Sequence, residues 1–224
     1  MEPQKAPSLL NAGPPARAVI QAVVFDLGRV MIDFDHMVAV ERIRKFTDKA
    51  DQEIFDLIFN SELTRLFEEG RLNPRDFFCR LKTMLGLRLE YAEFVPIWNE
   101  IFFLTDENRR IYRLAQRLKE RFTIALLSNV NRLHFEYIQK NFPIFEVFDY
   151  VIASFQVGAT KPDPRIYQKM LKILKVKPAA VFYTDDRKEL IEAALALGIR
   201  GSVFGGLKQL EHELASCGVR LDPT

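Results

Sequence analysis

Short apolar runs in this sequence end in side chains that could do chemistry. Those at the run ends, or in the loop that follows one, are Asp26, Ser128, Asn129, Lys161, Asp185 and Asp186. If the runs are parallel strands, their carboxyl ends meet at one edge of a sheet, which is where open α/β sheets bind ligands. Carboxylates, a hydroxyl and an ammonium group would then converge on one crevice. The pattern predicts a charged ligand-binding or catalytic site there.

Each of these residues also has an ordinary structural explanation. An Asp at a strand end often caps a helix or a turn, a Ser-Asn pair commonly begins a loop, and a Lys before Pro is usually solvated. Several such positions, in this order at successive strand ends, are much harder to explain by local structure alone. The functional interpretation therefore rests on the set and not on any one residue.

The apolar runs predict the strands that would position these side chains. After the first run they alternate with helical patterns, and they lie at 20–26, 122–128, 149–154, 180–185 and 199–204. Continuous apolar strands separated by amphipathic helices are typical of a parallel sheet covered on both faces. The sequence therefore predicts an α/β fold with a doubly wound, Rossmann-like parallel sheet.

Residues 35–105 interrupt this alternation with helical spacing almost throughout. No loop between a strand and a helix needs that length. We therefore expect an inserted helical subdomain there, between the two core segments 20–34 and 106–224. Within it, the pair Asn73-Pro74 marks the start of a fresh helix.

Composition excludes several classes of protein. The 224 residues are 48% hydrophobic and 28% charged, the profile of an ordinary globular protein. A net charge of +2 is too small to indicate a nucleic-acid-binding surface. No run of the sequence approaches the roughly 20 apolar residues of a membrane span. Cys79 and Cys217 lie far apart without neighbouring histidines, so we expect a cytoplasmic protein. Residues 1–19, rich in Pro and Ala, predict a flexible extension. The sequence leaves the oligomeric state open.

Four strings around the candidate residues resemble the motifs of the haloacid dehalogenase-like (HAD) hydrolase superfamily. They are VVFDLGRV, LLSNVNR, GATKPDPRIY and VFYTDDRKELIEAA, and they contain Asp26, Ser128, Lys161 and Asp185-Asp186. The resemblance spans about residues 20–205, and the helical insertion after the first motif resembles the C1 cap of the family. Among the branches, the strings are most similar to bacterial sugar-phosphate phosphatases that act on glucose 1-phosphate.

The resemblance implies a role for each of these residues. The catalytic residues would be Asp26 and Lys161, with Asp26 attacking phosphorus to form an aspartyl-phosphate. The residues implied to hold the phosphate oxygens are Ser128, Asn129 (through its amide) and Lys161. Mg²⁺ would bridge the nucleophile and the phosphate, because it prefers hard oxygen ligands. The metal ligands implied are Asp26, Gly28 (through its carbonyl), Asp185 and Asp186.

The sequence departs from the family pattern at several positions. Gly28 stands where most phosphatases of the family carry a second Asp, the general acid for the leaving oxygen, whose help is typically worth about 10²–10⁴-fold. Arg29 replaces a usual Gly or Asn, and Arg187 and Leu190 replace polar residues after the last motif. Leu190 can neither bind a metal nor orient Lys161, and weakened support of a metal site costs about 10–100-fold. Glu189 is a candidate substitute, although a solvated helix residue is its more ordinary role.

Residues just past Gly28 are candidates for the missing acid. They are Asp33, Asp35 and His36, and Asp35 also fits the N-cap of the helical stretch that follows it. The other histidines, His134 and His212, are predicted to lie on helix surfaces. The residues of the insertion considered as pocket lining are Phe67, Arg71, Trp98, Phe102 and Phe103, although aromatic residues at helical spacing are more often core.

Three functions fit this sequence. The first is a Mg²⁺-dependent phosphatase of a small phosphorylated metabolite such as a sugar 1-phosphate. The second is a metal-independent 2-haloacid dehalogenase, which uses the same Asp nucleophile and also lacks the second Asp. The pair Asp185-Asp186 argues against it, because unneutralised carboxylates near Asp26 would raise the pKa of the nucleophile. The third is a binding or regulatory protein that kept the fold and lost the chemistry, which the departures from the family pattern leave open.

Overall fold

The structure, a computed structural model, describes residues 19–219, so the predicted extension 1–19 lies outside them apart from Val19. In chain order the elements begin with β1 (Ala22–Phe25), β2 (Asp33–Phe34), α1 (His36–Ile43), α2 (Asp51–Phe59), α3 (Glu62–Glu68), α4 (Pro74–Leu85), α5 (Tyr91–Asn99) and β3 (Phe102–Phe103). They continue with α6 (Asp106–Lys119), β4 (Thr123–Ser128), α7 (Arg132–Asn141), β5 (Tyr150–Ala153), α8 (Ser154–Val157), α9 (Pro164–Leu174), β6 (Val181–Asp185), α10 (Lys188–Ala196), β7 (Arg200–Val203) and α11 (Leu207–Ser216). Short 3₁₀ helices cover Arg44–Phe46, Pro143–Val147 and Pro178–Ala180.

Five parallel strands form the main sheet in the order β5-β4-β1-β6-β7. β1 lies at the centre, where Phe25 is level with Leu126 of β4 and Thr184 of β6. All five strands predicted from the apolar runs are present, because the residues of a central parallel strand are buried on both faces. The α/β prediction with a Rossmann-like parallel sheet is confirmed.

Helices cover both faces of this sheet. Alternate residues of β1 enter different clusters: Val23 and Phe25 pack with residues of α6 and α11, such as Leu114 and Leu210. Ala22, Val24 and their neighbours pack on the other face with residues of α9 and α10. Close packing on both sides fixes where each strand ends, and the strand ends carry the candidate site.

Helices α1 to α5 form the helical insertion, and it has a hydrophobic cluster of its own. Buried residues of this cluster include Val40, Ile58, Phe77, Phe94 and Trp98. Stacked and tilted aromatic pairs connect it, for example Phe77 against Phe94 and Trp98. Within residues 19–219, no helix combines the length and apolar character needed to cross a membrane.

Two helices of the insertion begin at the capping residues that the sequence predicted. Asn73 Oδ1 accepts a hydrogen bond of 2.9 Å from the Asp76 backbone N–H, and Pro74 is the first residue of α4. Asp35 Oδ1 likewise accepts 2.9 Å from the Met37 N–H at the start of α1. Both caps satisfy backbone donors that have no partner inside the helix.

A two-stranded ribbon at the base of the insertion was not predicted from the sequence. β2 and β3 pair antiparallel, with Asp33 opposite Phe103 and Phe34 opposite Phe102. Two residues per strand are too few for a periodicity to be recognised. The ribbon holds the outgoing and returning chain segments side by side, so the insertion is attached to the sheet through a paired connection.

Candidate active site

Asp26, Lys161 and Asp185 are in contact at one edge of the main sheet. Asp26 follows β1, Asp185 ends β6, and Lys161 lies in the loop between α8 and α9. The Lys161 Nζ donates to Asp26 Oδ1 at 2.7 Å and to Asp185 Oδ2 at 2.6 Å. The three residues are 8%, 4% and 0% exposed. Two buried carboxylates this close would repel each other without the ammonium group between them. We call this group the charged floor of the site.

The Lys161 side chain is fixed by further hydrogen bonds. Its Nζ donates to the Leu127 carbonyl at 3.0 Å and to the Tyr183 hydroxyl at 2.9 Å. The Tyr183 hydroxyl in turn donates to Asp185. Tyr183 was not among the residues singled out in the sequence, although its position two residues before Asp185 on the same strand places both side chains on one face. Tyr183 supplies the orienting contact to Lys161 that Leu190 cannot supply.

The backbone of Lys161 is held by the side chain of Asn129. Asn129 Oδ1 accepts from the Lys161 N–H at 2.7 Å, and its Nδ2 donates to the Lys161 carbonyl at 2.9 Å. The side-chain amide is therefore engaged with the protein, and a phosphate contact from Asn129 would come from its backbone N–H. Ser128, at the end of β4, lines the same cavity as Asp26 and is 3% exposed.

Three carboxylates at this site could hold a metal ion. Asp26, Asp185 and Asp186 each offer one oxygen atom, and these atoms all lie within 4.8 Å of one another. Hard oxygen donors of this kind are the ligands that Mg²⁺ takes in proteins. Gly28 lines the cavity beside Asp26. The set of donors therefore fits Mg²⁺ chemically.

The charges of the floor shift one another's pKa values in opposite directions. Burial raises the pKa of Asp26, and the nearby Lys161 charge opposes that effect. Burial also acts to raise the pKa of Asp185, but the Lys161 charge and hydrogen bond outweigh it and hold that pKa below its usual value. Burial lowers the pKa of Lys161 less than the two carboxylates raise it. Lys161 is therefore charged and Asp185 ionised at neutral pH.

Phe34 occupies the space beside Gly28, the position at which the resemblance implies a second Asp in most phosphatases of the family. A Cβ atom added at Gly28 would lie 2.8 Å from the Phe34 Cε1, a distance that real Cβ atoms do not show. A side chain at position 28 would require the Phe34 ring to move. The glycine is therefore matched to the aromatic ring beside it, and a larger residue at this position would displace that ring.

The left-handed backbone in this loop falls on Arg29 and not on Gly28. Arg29 has a φ of 60°, a region that favours Gly or Asn. Its guanidinium pairs with Asp33 Oδ1 at 3.1 Å and lies 4.4 Å from the centre of the Phe34 ring. These side-chain contacts hold Arg29 in a backbone conformation that is unfavourable for residues other than Gly and Asn.

The three sequence candidates for the missing acid are all engaged elsewhere. Asp33 pairs with Arg29, and Asp35 caps α1. The His36 ring stacks on Phe59, with 3.8 Å between the ring centres. Burial, together with the Arg29 charge, lowers the pKa of His36 to about 4, so this ring is neutral and holds no acidic proton to give at neutral pH.

A cavity of about 340 Å³ lies above the charged floor. Much of its wall is aromatic, and the rings lining it belong to Phe34, His36, Phe55, Phe59, Trp98, Phe102 and His134. Polar side chains of the insertion at the cavity are Asn60, Thr64 and Glu68. Apart from His36, Trp98 and Phe102, sequence reasoning did not identify these lining residues. We call the rings listed above the aromatic wall.

Other insertion residues considered from the sequence lie away from the cavity. Phe67 is buried in the cluster of the insertion and stacks on Phe77, with 4.2 Å between ring centres. Phe103 is 46% exposed, and Arg71 lies at the surface, 3.6 Å from Glu69. Helical spacing marks an apolar face, but it does not distinguish a residue packed in a core from one that faces a cavity.

The prediction that His134 lies on a helix surface is wrong. His134 is 8% exposed, its Nε2 lies 3.0 Å from the Trp98 carbonyl, and its ring stacks on Trp98. The reason is that α7 packs against α5, which covers this side of α7. Burial lowers the pKa of His134 to about 3, so the ring is neutral. His212 lies exposed on α11, as predicted.

The segment after β6, which includes the start of α10, holds Arg187 and Leu190 in place of the polar residues of the family pattern. Leu190 is buried and lines the cavity, and its carbonyl accepts a hydrogen bond of 2.8 Å from the Tyr167 hydroxyl. The Arg187 backbone N–H donates to Asp185 Oδ1 at 3.0 Å. The Arg187 side chain turns to Glu189 at 2.7 Å, and both of these residues are exposed. Glu189 therefore pairs at the surface.

The sheet topology and the strand-end cluster agree with a known enzyme family. The model of the haloacid dehalogenase-like hydrolase family matches residues 20–198. The chain therefore belongs to that family, and it is a hydrolase. The resemblance read from the sequence motifs is confirmed at the level of the family.

Relatives with assigned activities extend over most of the chain. It is 28% identical to D-ribitol-5-phosphate phosphatase of Bacteroides thetaiotaomicron, over 80% of this chain and 89% of that one. It is 25% identical to the sesquiterpene phosphatase astK of Aspergillus oryzae, over 88% of this chain and 93% of that one. A HAD family enzyme of Bacteroides thetaiotaomicron, solved as a magnesium complex, superimposes with a TM-score of 0.73 at 25% identity. That match covers 84% of this chain and 94% of the other.

Proposed function

We propose that this protein is a Mg²⁺-dependent phosphatase of a small phosphorylated metabolite, acting through an aspartyl-phosphate on Asp26. The observation that carries the proposal is the buried Lys161 ammonium group, held between Asp26 and Asp185 at the floor of a cavity. Phosphoryl transfer depends mainly on positioning and on neutralising charge, which such a cluster supplies. The relatives named phosphatases support the same reaction class.

In this proposal each residue of the floor has one task. Lys161 binds Asp26 Oδ1, and the other carboxylate oxygen, Oδ2, would attack phosphorus. The Ser128 hydroxyl, the Asn129 backbone N–H and Lys161 bind the phosphate oxygens. The Mg²⁺ ligands would be Asp26, Gly28 (through its carbonyl), Asp185 and Asp186, and the ion would neutralise charge on the phosphoryl group. Asn129 and Tyr183 keep Lys161 in place.

The helical insertion, residues 35–105, would act as a cap over the core segments 20–34 and 106–224. Its rings form most of the aromatic wall, so it would exclude water and select the organic part of the substrate. Flat rings bind the apolar face of a sugar or a larger apolar group. The two phosphatase relatives are named for a polyol phosphate and for sesquiterpenes, and both are compatible with such a wall.

Position 28 itself supplies no acid, so substrates whose leaving oxygen carries negative charge well are favoured wherever protonation of that oxygen limits the rate. The anomeric oxygen of a sugar 1-phosphate is a better leaving group than the hydroxyl oxygen of a 6-phosphate. We therefore propose sugar 1-phosphates as substrates, with a higher kcat/KM for a hexose 1-phosphate than for the matching 6-phosphate.

The proposal is tested by measuring phosphate release from a panel of substrates with Mg²⁺ and with EDTA. The panel contains hexose 1-phosphates and 6-phosphates, ribitol 5-phosphate, a terpenyl phosphate and acetyl phosphate. We expect release from at least one class with Mg²⁺, and loss of release on chelation. Unchanged hydrolysis in EDTA would contradict the metal assignment.

The same samples separate the other two functions. Halide release from a 2-haloacid, without metal and without any phosphate release, would support a dehalogenase. If neither phosphate nor halide is released, a binding protein becomes the better interpretation. A rise in melting temperature with phosphosugars would then identify the ligand class.

A further inference from the structure

Glu68, the last residue of α3, brings a carboxyl group from the insertion to the cavity. Three residues with carboxyl side chains line that cavity within the described part of the chain, namely Asp26, Glu68 and Asp186. The proposed function uses Asp26 as the nucleophile and Asp186 as a metal ligand. Glu68 is the carboxyl group that the proposed function leaves unused.

The Glu68 side chain differs from those of the two other glutamates in and next to α3, Glu62 and Glu69. Glu62 and Glu69 both form ion pairs with Arg65. Among residues 19–219, the Glu68 carboxyl group has neither an ion-pair nor a hydrogen-bond partner. A carboxyl group that faces a cavity without a protein partner is free to meet a bound substrate.

The backbone beside Glu68 is fastened to the core. Ser154 Oγ donates to the Glu68 carbonyl at 2.7 Å, and it accepts from the Val130 N–H at 3.0 Å in the loop after β4. A Cβ atom at Gly70 would lie 2.1 Å from the Phe155 carbonyl oxygen, so the turn after α3 packs directly on the core backbone. Glu68 is therefore positioned relative to the loop that follows Ser128.

We propose that Glu68 is the general acid and base of the reaction, in the place of the missing Asp at position 28. The inference rests on the proposed phosphatase function. As Asp26 forms its bond to phosphorus, the electron pair of the breaking P–O bond passes to the leaving oxygen. That oxygen takes the proton of Glu68 and departs as an alcohol. Glu68 then takes a proton from the water that attacks the aspartyl-phosphate, which restores the acid.

The electrostatic surroundings of Glu68 suit this role. Burial raises the pKa of Glu68 to about 7, the charges of Arg187 and Lys161 act to lower it, and Glu69 acts to raise it. An acid–base group works best with a pKa near the operating pH. Glu68 would then be protonated below about pH 7, and the preference for good leaving groups should become steeper above it.

The test is the variant Glu68→Gln, which keeps the size of the side chain but has no proton to donate. We expect kcat/KM for a hexose 6-phosphate to fall by about 10²-fold or more, because its leaving oxygen needs the proton. An aryl phosphate with a good leaving group should lose less than about threefold, because it does not. With poor leaving groups, the activity of the parent should decline as the pH rises through about 7. This decline should be absent in the variant.

Two further variants control this experiment. Glu62→Gln makes the same change on the exposed side of the same helix and should leave every rate unchanged. Glu68→Asp keeps an acid on a shorter side chain and should restore part of the activity toward the 6-phosphate. Equal losses for all substrates in Glu68→Gln, or a leaving-group dependence equal to that of the parent, would overturn the assignment.

Folding of the variant is checked by its melting temperature at pH 5 and pH 8. The pKa of Glu68 in the folded state is raised above its ordinary value of 4.5, so its ionisation costs stability as the pH rises from there through about 7. Glu68→Gln should therefore gain stability relative to the parent at pH 8. A gain at pH 5 as large as that at pH 8 would contradict the raised pKa. If the parent protein releases no phosphate from any substrate, that result contradicts the proposed function itself. The outcomes described above contradict only the role of Glu68.

Discussion

The charged floor and the aromatic wall of the cavity are built in opposite ways. The floor joins Asp26 and Asp185, at the ends of parallel strands, to Lys161 of a loop through hydrogen bonds of 2.7 and 2.6 Å. In the wall, rings from different helices stack on one another: His36 on Phe59 at 3.8 Å and Phe59 on Trp98 at 5.7 Å. The structure of the floor depends on a balance of buried charges, whereas that of the wall depends on packing contacts among many atoms.

The difference predicts how each region responds to mutation. Removing one partner of a buried ion pair leaves the other charge uncompensated, which costs about 3–5 kcal/mol. An aromatic pair contributes about 0.5–1.5 kcal/mol beyond its buried area. Changes in the floor should therefore stop the reaction, and changes in the wall should alter which substrates bind.

The largest effect is expected from Asp26→Asn. An amide is a far poorer nucleophile of the same shape, so turnover should fall by a factor on the order of 10⁴ or more. The measurement is phosphate release from the best substrate, with circular dichroism to verify the fold. Asp33→Asn, outside the floor, is the matched control and should keep most activity. A well-folded Asp26→Asn sample that still turns over would exclude the covalent mechanism.

Lys161→Met should lose both activity and stability. Without the ammonium group, Asp26 and Asp185 face each other uncompensated, and we expect a loss of about 3–5 kcal/mol in the free energy of unfolding at pH 7. Because Lys161 lowers the pKa of Asp185, its stabilising effect is present above the ordinary pKa of that group and declines as the pH falls. Urea unfolding at pH 7 and at a pH below the ordinary Asp pKa of 3.8 should therefore show a smaller deficit at the lower pH.

Lys188→Met, which removes an exposed ion pair with Glu192, is the control for the lysine change. It should alter the free energy of unfolding by less than about 1 kcal/mol. A deficit of Lys161→Met that is the same at both pH values would contradict the assigned charges of the floor.

Phe59→Ala tests the wall without touching the floor. Loss of its stacking should raise KM by about tenfold for a substrate with a ring or chain, a change equivalent to about 1.4 kcal/mol. The rate with acetyl phosphate, which has almost no organic group to hold, should stay within about twofold. Phe103→Ala, an exposed ring away from the cavity, is the control. Equal losses for both substrates would place Phe59 in the catalytic step.

The smallest effect is expected at Arg29. Glycine suits its left-handed backbone, so Arg29→Gly should offset the lost contacts with Asp33 and Phe34. Arg29→Ala loses the same contacts without that relief and should be less stable than the Gly variant by about 1 kcal/mol. Thermal unfolding of both variants measures the difference. An Ala variant as stable as the Gly variant would show that φ at this position carries no cost.

The sequence by itself determined the sheet and the composition of the floor. Apolar runs located all five strands, and parallel strands direct their carboxyl ends to one edge, so Asp26, Lys161 and Asp185 could be placed together in advance. The caps Asp35 and Asn73 were predictable for the same reason, because a helix start is a local event. Each of these features depends on a few consecutive residues.

The tertiary structure alone decided the wall and the surroundings of the floor. Phe59 and Phe67 both lie on apolar helix faces, yet one lines the cavity and the other is core, since only the packing of the helices separates them. His134 was misplaced because α5 covers its face of α7. The half-buried position of Glu68 beside the cavity depends on the docking of α3 onto Ser154, a contact across 86 residues of chain. Contacts between residues so distant in sequence leave no periodic pattern from which they could be predicted.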